Sequence, residues 1–158
     1  VVFQCEDGDY EILTSLLSAL LGVSEESITG IEVTNSIIPG DSIDDKTVML
    51  DITLTLNNCK RIDLEMQVQH QTFWKNRSCY YLARMYSEGL LSGKSYEDLK
   101  PAHHIGIVDF DIDGLTPRLF ANYRMADTET GEIYSDNLQI SVLNLTRTDT
   151  SNAQMYAV

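Results

Sequence analysis

The chain reads as an α+β fold, a mixed β-sheet flanked by helices in a three-layer, α/β-like arrangement. Three observations predict it. Apolar residues recur at helical spacing between Asp9 and Leu21, the period switches to two over TVMLDITLTL and KRIDLEMQVQH, and helical spacing returns from Phe73 before further strand-like runs. With 158 residues, 43% of them hydrophobic, the chain is long enough for one sizeable core and short for two, so one domain is expected.

The first helix is carried by Ile12, Leu13, Leu16, Leu17, Leu20 and Leu21, with Asp7 or Asp9 as its cap and Gly22 as its stop. A short β-prone piece, GIEVTN, and a turn-rich loop with Pro39, Gly40 and Asp41 precede the first clear strand. There Val48, Leu50, Ile52, Leu54 and Leu56 form one face, and Met49, Asp51, Thr53 and Thr55 the other. Alternation resumes after Asn57-Asn58-Cys59, with Ile62, Leu64, Met66 and Val68 opposite Asp63, Glu65, Gln67 and Gln69. A second helix is expected from Phe73 to about Leu91, ending at Gly93, followed by the capped turn SYEDLKP. Strands follow at HIGIVDFDI, RLFANYRMAD and NLQISVLNL, the last two separated by the turn TETGE.

No stretch approaches the ~18 to 20 apolar residues of a membrane span, and the N-terminus lacks the basic start and apolar run of a secretory signal. A soluble, cytoplasmic protein with no membrane partner is expected. Cys5, Cys59 and Cys79 fit no metal or redox spacing and read as free thiols. His103 and His104 are adjacent in a strand, where neighbours point to opposite faces, so they do not readily share a metal and read as structural. The net charge of −13 weighs against nucleic-acid binding, which rests on Lys and Arg. The basic residues are nonetheless gathered. Between Lys60 and Lys100, seven basic side chains stand against five acidic ones, so that segment is +2 and the remainder −15.

If the hairpin buries its two apolar faces together, the loop must have an odd length. A three-residue loop, Asn57 to Cys59, pairs Leu56 with Lys60, and Asn tolerates the left-handed conformation such turns need. That register sets Asp51 opposite Glu65. Opposed residues have Cβ atoms roughly 4.5 to 5.5 Å apart, near enough for two carboxylates to share one hard cation. Gln67 lies on the same face, giving a D…E-x-Q pattern. On the second helix Arg77, Tyr81 and Arg84 share a face, suited either to phosphates and a stacked base or to an ordinary solvated stripe.

The D…E-x-Q hairpin, with the phrases EILTSLLSALLG, DDKTVMLDI, RIDLEMQVQ, RSCYYLARMYSEGLLSGKSYEDLKP, IVDFDI and TGEIYSDNLQISVLNL, resembles the PD-(D/E)xK nuclease superfamily in its recombination-promoting nuclease, or transposase, branch. The phrases run in family order from about Phe3 to Arg147. The resemblance implies a restriction-endonuclease-like core over residues 1–158, shorter than the family at both ends. It implies Mg2+, with Mn2+ as a substitute, held by Asp51, Glu65 and the carbonyl of Met66. Gln67 stands where most of the superfamily has Lys. Its amide cannot take a proton at neutral pH, so it would orient water or phosphate. An additional acid near the first helix is expected from Glu11 or Glu6. Asp44 and Asp45 match the family's DDK, and Asn144 stands where the branch often has Glu. The implied activity is bacterial DNA endonuclease chemistry in recombination, acting on DNA and possible as a homodimer. The competing reading is a catalytically inactive DNA-binding or dimerisation domain. Removing Asp51 or Glu65 is expected to abolish cleavage and leave folding intact.

Overall fold

The computed structural model describes residues 10–34, 52–57, 59–87, 90 and 95–147. Helix α1 (Glu11–Leu21) buries Leu13, Leu17 and Leu20, the stripe its periodicity requires, and stops at Gly22, whose φ of 66° lets its N–H return to the Ser18 carbonyl. The N-cap position is Tyr10, without a side-chain cap. The expected caps Asp7 and Asp9 lie outside the described residues. A turn at Glu25–Ser27 leads to β1 (Ile31–Thr34).

Strands β2 (Ile52–Leu56) and β3 (Lys60–Gln67) form the expected antiparallel hairpin, with Leu56 opposite Lys60 and Ile52 opposite Leu64. Asn57 holds the left-handed turn at φ 51°. Its side chain explains why Asn is there. The carboxamide oxygen accepts from the N–H groups of Thr29 at 2.8 Å and Gly30 at 3.1 Å, and the amide nitrogen donates to the Ser27 carbonyl at 2.8 Å.

Helix α2 (Trp74–Ser87) crosses from β3 to β4 (Ala102–Val108), through a turn at Tyr96–Asp98 closed by a Ser95–Asp98 capping box. Strands β5 (Phe120–Ala126) and β6 (Ile133–Asn144) follow as a hairpin. The six strands run in the order β1-β2-β3-β4-β6-β5. Pairs β3–β4 and β4–β6 are parallel and the others antiparallel, so the sheet is mixed, as the sequence predicts.

Alternation along the strands divides the interior into two layers. On one face α1 packs through Leu13, Leu17 and Leu20 on Ile52, Leu54, Leu56, Ile62, Leu64, Ile105 and Ile107. On the other α2 packs Trp74 against Val108, Phe110 and Val142, and Leu82 and Met85 against Ala102. Each fully buried Leu or Ile contributes on the order of 1.5–3 kcal/mol. The result is the α+β, restriction-endonuclease-like arrangement of helix, sheet and helix.

Candidate active site

The polar face of β3 lies beneath α2. Asp63, Glu65 and Gln67 are 8%, 1% and 1% exposed, so three polar side chains are buried where period two alone marks only a polar side. Burial at that level demands partners. Glu65 finds one in Arg77, whose guanidinium nitrogen stands 2.9 Å from Oε1. Asp63 finds one in His104, with Oδ2 2.9 Å from Nδ1. The other imidazole nitrogen, Nε2, is 3.8 Å from Glu65 Oε2. Gln67 donates through Nε2 to the Gln69 carbonyl at 3.1 Å, and its Oε1 is buried with no hydrogen-bond partner among the described residues.

Arg77 reaches Glu65 because Gly106 lets α2 lie close. Gly106 is the neighbour of Glu65 on β4, and a Cβ there would stand 2.2 Å from Cζ2 of Trp74. Only glycine admits that indole. Trp74 opens α2, and Arg77 follows one turn later, directed at β3.

Backbone alternation places a further oxygen. Arg61 donates its N–H to the Pro101 carbonyl and Gln67 accepts from the Asp109 N–H, so odd-numbered residues of β3 bond toward β4. The carbonyl of Met66 therefore points toward the β2 side of the strand.

Of the other residues singled out by sequence, Asp51, Asp44, Asp45 and Glu6 lie outside the described residues. Glu11 is exposed on α1, across the sheet from Glu65. Arg77, Tyr81 and Arg84 share a face of α2 as their spacing requires, and Arg77 lies over the Tyr81 ring at 5.2 Å from its centroid. Arg77 itself is turned inward to Glu65, its side chain 13% exposed, while Arg84 is exposed. Asn144 donates to Asp111 at 2.9 Å and accepts from the Thr146 N–H at 3.0 Å, a role in shaping the end of β6. Arg147 bonds the same carboxylate and holds Asp111 below its usual range.

His103 and His104 point to opposite faces, as expected. His103 accompanies the α1 side, its Nε2 2.6 Å from the Ser141 hydroxyl. Burial first, then the nearby Lys60, His104 and Arg124, lowers its pKa to about 3, so it is neutral in the fold. Sequence reasoning missed His104 and Asp63 as neighbours of Glu65. The signal available was the shared face of Asp63 and Glu65; nothing local indicated that His104 would meet them from β4.

Glu65, Gln67 Oε1 and the Met66 carbonyl are hard oxygen donors of the kind Mg2+ takes. Gln67 Oε1, buried without a hydrogen bond among the described residues, fits that use. Among the described residues no group of three or more His, Cys, Asp and Glu converges on a metal position, so these groups amount to part of a donor set.

A mixed sheet between two helices, with a buried Glu-x-Gln on the second strand of a hairpin, is the arrangement expected of a nuclease-like domain. The family model described as PD-(D/E)XK nuclease family transposase matches residues 1–157 of the 158, and the chain belongs to that family. No curated protein and no solved structure matches the chain. Nucleases of this family generally use divalent metals and act on DNA. No helix among the described residues is long and apolar enough to cross a membrane.

Proposed function

We propose that the protein is a magnesium-dependent DNA endonuclease of recombination or mobile-element biology, with Asp51 and Glu65 as metal-binding carboxylates. The observation that carries this is the burial of Glu65 and Gln67 side by side on β3 in a chain of this nuclease family. Asp51 is taken from the D…E-x-Q pattern of the sequence and lies outside the described residues. Because even-numbered residues of β3 bond toward β2, the Met66 carbonyl is directed to the β2 side of the strand.

Mg2+, when bound, would supply an activated water and offset charge on the attacked phosphate. The chain's own groups would do the rest. Glu65, paired with Arg77 at 2.9 Å, keeps a fixed carboxylate; Gln67 offers an amide to orient water or phosphate, and cannot itself move a proton. Arg84 and Tyr81 offer a charge and a ring to the nucleic acid from the outer face of α2.

One observation favours the inactive binding module: the Glu65 carboxylate already has a protein cation, Arg77, at 2.9 Å. The two readings separate in one assay. The complete gene product is incubated with supercoiled plasmid in Mg2+ or in chelator, beside the isosteric variant Glu65→Gln. Cleavage that needs Mg2+ and disappears in the variant is expected. Equal cleavage by variant and wild type, or none by the wild type, returns the protein to the binding class.

A further inference from the structure

His104 has no exposure at all; its Nδ1 is bonded to Asp63, and its Nε2, buried with no hydrogen-bond partner among the described residues, stands 3.8 Å from Glu65 Oε2. Here Asp63 and Glu65 are two residues apart on one face of one strand, and the ring bridges the space between them from the neighbouring strand. The Trp74 indole closes the third side, its centroid 5.8 Å from the imidazole.

We infer that His104 is a positioning residue for Glu65, anchored by Asp63. The inference rests on the metal reading of Glu65. The Asp63–Nδ1 bond, 2.9 Å long, fixes the rotation of the ring, so Nε2 faces Oε2 across 3.8 Å, longer than a hydrogen bond, while Arg77 stands 2.9 Å from Oε1. Oε1 thus has Arg77 in direct contact and Oε2 faces the imidazole, so the two neighbours bound the space in which the carboxylate can turn. Groups that orient a ligating carboxylate in this way act on metal affinity without touching the metal. Asp63 belongs to the same device, one step further out.

The test separates the two ring nitrogens. Asparagine places its amide near the position of Nδ1 and can keep the Asp63 contact; glutamine reaches the position of Nε2 and can keep the one to Glu65. Binding of Mn2+ and Mg2+ to the full chain is measured by titration calorimetry for wild type, His104→Asn, His104→Gln, Asp63→Asn and Glu65→Gln, with thermal melting of each. His104→Asn is expected to weaken metal binding by about tenfold, the lower end for groups that orient a ligand. His104→Gln should stay within about threefold of wild type, by the same principle. Asp63→Asn should weaken binding as His104→Asn does, and it supplies the test if the histidine variants fail to fold. If His104→Asn and Asp63→Asn bind like wild type while Glu65→Gln does not bind, the metal reading stands and the positioning role falls. Parallel loss in the Asn and Gln variants, in step with melting temperature, reduces His104 to a structural residue. Undiminished binding by Glu65→Gln removes the metal reading, and this inference with it.

Discussion

Replacing Gly106 with alanine should move α2 off the sheet. The new Cβ would lie 2.2 Å from Cζ2 and 2.9 Å from Cη2 of Trp74, whereas carbon atoms in contact settle at about 3.5 Å or more, so the ring must retreat by about 1.3 Å. It has little room to do so. Trp74 is 2% exposed and packed against Val108, Phe110 and Val142, and the intruding atom is fixed to the backbone of a strand paired on both sides. Overpacking of this kind costs about 1–3 kcal/mol, and the upper half is expected here. For a chain of this size that is a fall in Tm of about 5 to 10 °C. Urea unfolding followed by circular dichroism measures the cost, and the emission of the one tryptophan reports whether the ring has moved. The control is Trp74→Phe, whose ring lacks the two clashing carbons. In that background Gly106→Ala should cost under about 1 kcal/mol, and the difference is the coupling energy. An unshifted emission with wild-type stability, or an equal cost in both backgrounds, would refute the close approach of Trp74 as the reason for glycine.

Three further outcomes follow from the buried groups. Glu65→Ala should cost about 3–5 kcal/mol, because it leaves the Arg77 guanidinium buried without its carboxylate; adding Arg77→Ala should recover part of that loss in urea titrations, and additive costs would count against the pair. This departs from the expectation that the site carboxylates leave folding untouched. His103 has a pKa of about 3 in the fold against 6.5 when unfolded, so the unfolded chain binds the extra proton between those values. Stability should therefore be full above pH 6.5 and fall by about 1.4 kcal/mol per pH unit below it, a slope that His103→Asn should lose. Arg84→Ala should lower the salt slope of DNA binding by about one unit; an unchanged slope would make Arg84 an ordinary surface residue.

Local rules made the hairpin legible. Period two separated the faces of β2 and β3, and the odd loop fixed Leu56 opposite Lys60, where the structure has them. The same alternation put His103 and His104 on opposite faces, and the i, i+4 step brought Arg77 over Tyr81. What could not be read was the environment of the polar face. Asp63, Glu65 and Gln67 alternate with apolar neighbours as a solvated face would, and only the crossover helix buries them. Their partners, Arg77 and His104, lie 12 and 41 residues from Glu65 and Asp63, beyond any periodicity. Helical spacing left Arg77 open to phosphates or to a solvated stripe, because spacing shows which residues are neighbours on a helix and not what the helix covers.

Every residue of β4 is buried, between two parallel neighbours and beneath α2 on one face, while β5 at the sheet edge is mostly exposed. In hydrogen exchange, the amides of β4 should open only with the whole molecule, and those of β5 should open first. Glu65, Gln67, Arg77 and His104 all belong to the single crossover from β3 through α2 to β4. The candidate site is thus built into the last part of the protein to come apart, so a substitution that loosens it should be visible first as lost global stability.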